Sequence, residues 1–231
     1  MRVEMLKHIP VKMTEKSILR RMGGKGRSKP SGRLRRKLKK AVKEIGQKAK
    51  PRAMYRILPV ANKNGSIILD DQISIKSRKL KTLLGPCDKA AVFITTLGEE
   101  IDKIIHKNMK TRPHYGYILD SVASVAAESA AKYLKNHIDE KLNGQEKTTL
   151  RYSPGYCDWP VQEQRKIFQV LPSESIEVKL SGECLMSPRK SISGVLGVCA
   201  MDSQEKSENI CLSCAKRECP YRRTIRKEAH V

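Results

Sequence analysis

Residues 84–102 read LGPCDKAAVFITTLGEEID, and the class of the fold turns on them. Ala90 to Thr96 is a short, nearly continuous apolar run bounded by Pro86 and Gly98, which predicts a buried strand. A helical pattern from Glu99 to His106 follows at once. Working outward, Tyr55–Leu69 has strand-like text around the turn signal Asn62-Lys63-Asn64-Gly65. Ile118, Val122, Val125, Ser129, Tyr133 and Leu134 form one stripe of a helix over 117–138, slimmed by Ala123, Ala126, Ala127, Ala130 and Ala131. A short helix over 161–171 comes next, then alternating residues from Ile176 to Met186 and a run from Ile192 to Ala200, both expected as strands. No regular βαβ repeat joins these elements. The predicted class is therefore α+β, with mixed helices packed on a largely antiparallel, twisted sheet.

At 231 residues the chain can bury one ample core or two small ones. The net charge of +23 is its extreme feature, and it is unevenly placed. Residues 1–50 hold 18 Lys or Arg against Glu4, Glu15 and Glu44, a surplus of 15. This first segment is expected to be helical and basic, with Leu34, Leu38, Val42 and Ile45 as the apolar stripe of one helix. It reads either as a solvated amphipathic face or as a docking surface, because such a field speeds encounter with acidic partners. The boundaries drawn from composition are a basic segment 1–50, a core domain 51–200 and a basic Cys-rich tail 201–231. No stretch approaches the ~18 apolar residues of a membrane span, so a soluble, cytoplasmic protein is expected. Seven irregularly spaced cysteines argue against a disulfide scaffold and for reduced thiols.

The most unusual text is Arg151-Tyr152-Ser153-Pro154-Gly155-Tyr156-Cys157-Asp158-Trp159-Pro160. Two prolines and a glycine fix its backbone and turn amides and carbonyls away from regular pairing. An arginine can grip a carboxylate with two parallel hydrogen bonds, and Tyr156 and Trp159 offer flat apolar faces. That set suits a zwitterionic ligand bearing an aromatic base. Spacing alone is equally compatible with a structural turn around a buried Trp.

RYSPGY resembles the Arg-x-x-x-Gly-Tyr signature of the activation domain of cobalamin-dependent methionine synthase. The similarity continues through DWPVQEQRKIFQVL and VKLSGECLMSPRKSISGVLGV, and upstream through residues 84–102 and ILDSVASVAAESAAKYL, so that it spans roughly residues 30–200. The resemblance implies an accessory protein that binds S-adenosylmethionine and serves the reductive methylation of a corrinoid. Arg151 would take the methionine carboxylate, Ser153 and Gly155 would offer main chain, and Tyr156 would lie against the ligand. Glu128 falls on the family's helix acid, although an i,i+4 partnership with Lys132 is an alternative. Where the family can carry an Asp one turn earlier, this chain has Ser124, and Asp120 is the candidate substitute. The chain has no Asp-x-His-x-x-Gly corrinoid motif, so cobalamin would come from a partner protein or methyltransferase, without which no turnover is expected. The family's reduction of cob(II)alamin also implies an electron donor, an acidic flavodoxin or ferredoxin, that the basic segment would suit.

The tail departs from the family. Cys211, Cys214 and Cys219 form a CxxC followed by a third cysteine, soft ligands for zinc or an iron–sulfur cluster. Cys199 is the nearest candidate for a fourth ligand, with Cys184 and His230 behind it; free thiols are the bland alternative. A different function class, a basic nucleic-acid-binding protein with a C-terminal zinc module, explains the charge and the cysteines. It leaves the Arg151–Pro160 loop without a role, and the 4% aromatic content provides few stacking surfaces for bases.

Overall fold

The computed structural model describes residues 2–24, 30–63, 65–71, 73–142 and 144–201. Among the described residues, nine strands run in chain order as β1 (Glu4–Lys7), β2 (Arg52–Lys63), β3 (Ser66–Leu69), β4 (Ile73–Ile75), β5 (Lys89–Thr96), β6 (Glu146–Thr148), β7 (Lys179–Leu180), β8 (Met186–Ser187) and β9 (Ser191–Ala200). Six helices are α1 (Glu15–Arg21), α2 (Gly32–Lys48), α3 (Arg78–Leu84), α4 (Glu99–Thr111), α5 (Pro113–Lys141) and α6 (Gln164–Val170). The main sheet has the order β4-β3-β2-β5-β9-β6, with β1 also on β2, and every pairing is antiparallel. The α+β expectation is met.

β5 occupies the middle of this sheet, flanked by β2 and β9 over its full length. A strand covered on both faces and paired on both edges needs no polar alternation, hence the unbroken run. Its residues nonetheless divide strictly by parity. Ala91 and Phe93 enter a core with Ala53 and Tyr55 of β2, Leu196 of β9, and helices α1, α2, α4 and α5. Ala90, Val92 and Ile94 enter a second core with Met54, Val195, Tyr152, Trp159, α3 and α6. The period of two along each strand separates the two cores.

Helix α5 spans 29 residues, about 43 Å at 1.5 Å per residue. Pro113 stands in its first turn, where a missing N–H costs nothing. Ala123, Ala126, Ala127, Ala130 and Ala131 are all buried, so the helix lies close against the sheet and against its neighbours.

Two expectations need correction. The first 50 residues are not wholly helical: β1 pairs with β2 through Glu4↔Tyr55. Ile18 of α1 and Leu38, Ala41 and Ile45 of α2 pack into the same core as α5. Ile176 to Met186 is not one strand, because a 3-10 turn at Ser173–Ile176 and a short β7–β8 hairpin take its place. The alternation there arises from a chain that reverses, with Glu177 and Cys184 at positive φ. Strands β4 and β6 and helix α3 fall outside the predicted elements, each too short to establish a period. No described helix is long and apolar enough to cross a membrane.

Candidate functional site

The segment after β6 runs beside β9, and Tyr152 forms an antiparallel bridge with Val195 through Tyr152 N–H to Val195 O at 3.0 Å and the reverse bond at 2.8 Å. This extended backbone sends alternate side chains to opposite faces. Tyr152 enters the second core, while Arg151 turns toward α5. The contact of Ser153 with Gly194 makes the first-face floor tight: a Cβ on Gly194 would lie 2.6 Å from Tyr152 O and 2.9 Å from Ser153 Oγ. Only glycine lets the two backbones come this near.

Beyond Ser153 the chain turns tightly. Gly155 has φ +88°, and its N–H donates to Trp159 O at 2.7 Å, with Tyr156 N–H to Ser153 O and Trp159 N–H to Tyr156 O closing the turn. Trp159, 1% exposed, stacks on Tyr152 with ring centres 5.8 Å apart and planes 3° from parallel. The Tyr152 hydroxyl donates to Tyr156 O at 3.1 Å. Burial, reinforced by Cys157 and Asp158, pushes this phenol's pKa up, keeping it a neutral donor. Asp158 accepts from Ser77 Oγ (2.8 Å) and Arg78 N–H (2.6 Å), tying the loop to the start of α3. Burial raises the Asp158 pKa, but those hydrogen bonds outweigh it and hold the carboxyl below the usual range.

On the first face, Asp120, Ser124 and Glu128 recur every four residues along α5 and share one side of the helix. Both Arg151 and Lys190 reach across to this line. Arg151 Nη2 meets the two Glu128 carboxylate oxygens at 2.9 and 3.0 Å. The Arg151 side chain is only 10% exposed while Glu128 remains 56% exposed. Burial opposes the guanidinium charge, yet the Glu128 carboxylate and the adjacent Tyr156 outweigh it and raise the pKa. Lys190, just before β9, places Nζ 2.8 Å from Asp120 Oδ1 and 2.9 Å from Ser124 Oγ. Two polar groups at this end are buried with no hydrogen-bond partner among the described residues: Ser153 Oγ and Arg151 Nε.

The structure thus pairs Arg151 with Glu128 of α5 and sets Ser153 against Gly194 of β9, with Gly155 and Tyr156 in the turn that follows. Tyr156 is exposed and packs edge-on to Tyr152. Glu128 turns to Arg151, the pairing that the Lys132 alternative did not foresee. Asp120 lies two turns along α5 from this group, held by Lys190. Lys190 and Gly194 were missed: nothing in a single lysine within SPRKS marks it as reaching a helix 66 positions upstream. A cavity of about 480 Å³ opens elsewhere, between the first turns of α2 and α5, beside Arg33, Leu34, Lys37, His114 and Tyr117. It lies away from the loop and joins none of the predicted residues.

The proposed metal set does not hold at Cys199. Its sulfur is bonded to that of Cys87, across 112 residues of sequence, and both residues are buried. A sulfur in that bond has no thiolate to offer a metal. Cys87 is its partner because β5 and β9 lie side by side. Cys184 is buried and Cys157 exposed, both outside any disulfide; no group of three or more His, Cys, Asp or Glu among the described residues is placed to hold a metal. Cys211, Cys214, Cys219 and His230 lie outside the described residues.

A family model described as "Vitamin B12 dependent methionine synthase, activation domain" matches residues 60–205. The fold is also similar to that of a solved structure described as "Crystal Structure of the MetH Reactivation Domain bound to AdoHcy", with a TM-score of 0.60 and 17% identity. That likeness covers 85% of this chain and 78% of the other. No curated protein matches the sequence.

Proposed function

The chain belongs to the family of vitamin B12 dependent methionine synthase activation domains, and from that premise we propose that it binds S-adenosylmethionine between α5 and the Arg151–Pro160 loop, as an accessory to a corrinoid methyltransferase. The observation that carries this reading is the ion pair of Arg151 with Glu128 at 2.9 Å, inside the family-matched segment. An α-amino acid brings a carboxylate and an ammonium group. Inserted between these two side chains, it gives each charge a partner of opposite sign, so none is left unpaired in a low-dielectric site. The unpartnered Arg151 Nε and Ser153 Oγ supply further polar groups at the same end, and Tyr156 supplies an exposed ring face. Gly155 gives the turn its positive φ.

S-Adenosylmethionine brings a methyl group on a positively charged sulfur, and the chain's part is to hold and present it. The cobalamin that receives it would belong to a partner, a corrinoid-binding protein or methyltransferase. Helix α2 carries exposed Arg33, Arg36, Lys39, Lys40 and Lys43, a surface suited to an acidic electron donor such as a flavodoxin or ferredoxin. Binding of that kind weakens steeply with added salt. Cys211, Cys214 and Cys219 are proposed as ligands of zinc or an iron–sulfur cluster, without Cys199. A cytoplasmic location is proposed on the same family grounds. Family membership leaves the nucleic-acid reading without support.

Calorimetric titration of the full chain with S-adenosylmethionine tests the proposal. The wild-type protein is expected to bind, and Arg151→Ala to bind roughly 10- to 100-fold more weakly, the worth of a charge-assisted hydrogen-bonded pair. Equal affinity in the two proteins, or no heat with the wild type, would overturn it.

A further inference from the structure

Lys190 belongs to no motif and takes no part in the reading above. Its side chain is only 15% exposed and is fixed at both Asp120 and Ser124. It stands two residues before Ile192, which with Leu196 faces the α5 core; Gly194 lies between them. The α5 side of β9 therefore runs from Lys190 past Ile192 to the bare backbone of Gly194, beside Ser153. The helix above it carries Asp120, Ser124 and Glu128 in the same direction. In the opposite direction the interface is closed by buried Leu196, Ala127, Ala130 and Ala131. A ligand whose amino-acid end is seated at Arg151 and Glu128 can extend along this interface toward Lys190, past Ser124. Ser124 is one helical turn from Glu128, about 6 Å along the axis. The sulfur of a methionine-like ligand, two methylenes beyond the α-carbon, then lies within reach of the field of Lys190 and Asp120.

We propose that Lys190 is a specificity-determining residue that neutralises Asp120 and so levels the site's affinity for the sulfonium and thioether forms of its ligand. The inference rests on the S-adenosylmethionine reading. Its chemical sense lies in the charge lost during transfer. As the methyl group leaves as a cation equivalent, the C–S bonding pair stays on sulfur, and the positive sulfonium becomes a neutral thioether. A bare Asp120 carboxylate would hold the reactant more tightly than the product and would oppose that loss of charge; binding of the ground state alone does not speed a reaction. Paired with Lys190, the carboxylate presents almost no net charge to the sulfur. Its fixed ammonium also keeps Asp120 from serving as a substitute for the family's amine-binding acid.

Titration of the full chain with S-adenosylmethionine and, separately, with S-adenosylhomocysteine gives the ratio of the two affinities. Lys190→Met bares a carboxylate and is expected to raise the preference for the sulfonium form roughly tenfold, an effect of the size Coulomb's law gives at this range near a protein surface. Asp120→Asn bares an ammonium and is expected to move the ratio several-fold the other way. The opposite signs cannot arise from a general loosening of the fold, which would weaken both ligands together. Either variant suffices for a sign test if the other does not fold. An unchanged ratio, or shifts of the same sign, in variants that still bind overturns the role of Lys190. A wild-type protein that binds neither ligand overturns instead the reading on which this one rests.

Discussion

The two faces of the sheet are built from the same strands and solve opposite problems at the point where the Arg151–Pro160 segment crosses them. On the second face, Tyr152 and Trp159 are stacked and buried, and Asp158 is bonded to Ser77 and the start of α3. On the first face, at the adjacent positions, Arg151 is ion-paired with Glu128 of α5 and Ser153 lies against Gly194 with a hydroxyl that has no partner among the described residues. One face uses aromatic burial and satisfied hydrogen bonds, which hold without any ligand. The other uses charges that a zwitterion of the right shape can share. The difference shows how a loop is anchored by every second residue while the residues between remain available for binding.

The second face is the firmer of the two. Trp159→Ala removes the largest fully buried side chain and is expected to cost about 3–5 kcal/mol, read as a lower denaturation midpoint in urea. A loss below about 1 kcal/mol would mean that the loop is not held by the second face. Asp158→Ala is expected to cost about 1 kcal/mol, the usual worth of a capping acceptor. Because the folded-state pKa of Asp158 is depressed, its contribution is fully present above the ordinary carboxylate range and is lost as pH falls toward the folded value. Thermal melts of the two proteins should therefore differ at pH 7 and converge in acid. Glu128→Gln sharpens the soft side. Glu128 is half open to water while Arg151 is buried, and Gln keeps a neutral acceptor for the guanidinium, so stability should fall by about 1 kcal/mol, while affinity for S-adenosylmethionine falls. A stability loss as large as that of Trp159→Ala would erase the distinction between the faces.

Much of the first level was legible in the text. Ala90–Thr96 and Ile192–Ala200 read as strands because central strands buried on both faces leave continuous apolar runs. The α5 stripe read as a helix because 29 residues give the period many repeats. The residues of the Arg151 loop were named through family resemblance, and the structure pairs Arg151 with Glu128. Asp120 was not separable from Glu128 by sequence, since both lie on the same side of one helix; the lysine that claims Asp120 comes from elsewhere. Cys199 read as a metal ligand because sequence distance placed it near the Cys211–Cys219 group, whereas strand pairing placed it beside Cys87.

The sequence by itself determined the longer helices and the central strands, the family to which the chain belongs and the concentration of positive charge in the first 50 residues. These follow from local periodicity, turn chemistry and composition, each contained in a short window. Tertiary structure alone decided that Arg151 meets Glu128 over 23 residues of chain, that Lys190 meets Asp120 and Ser124, and that Cys87 meets Cys199. Such pairs depend on antiparallel register and on the approach of α5 to β9. Those are set by the packing of two whole cores at once, and no window of sequence contains them.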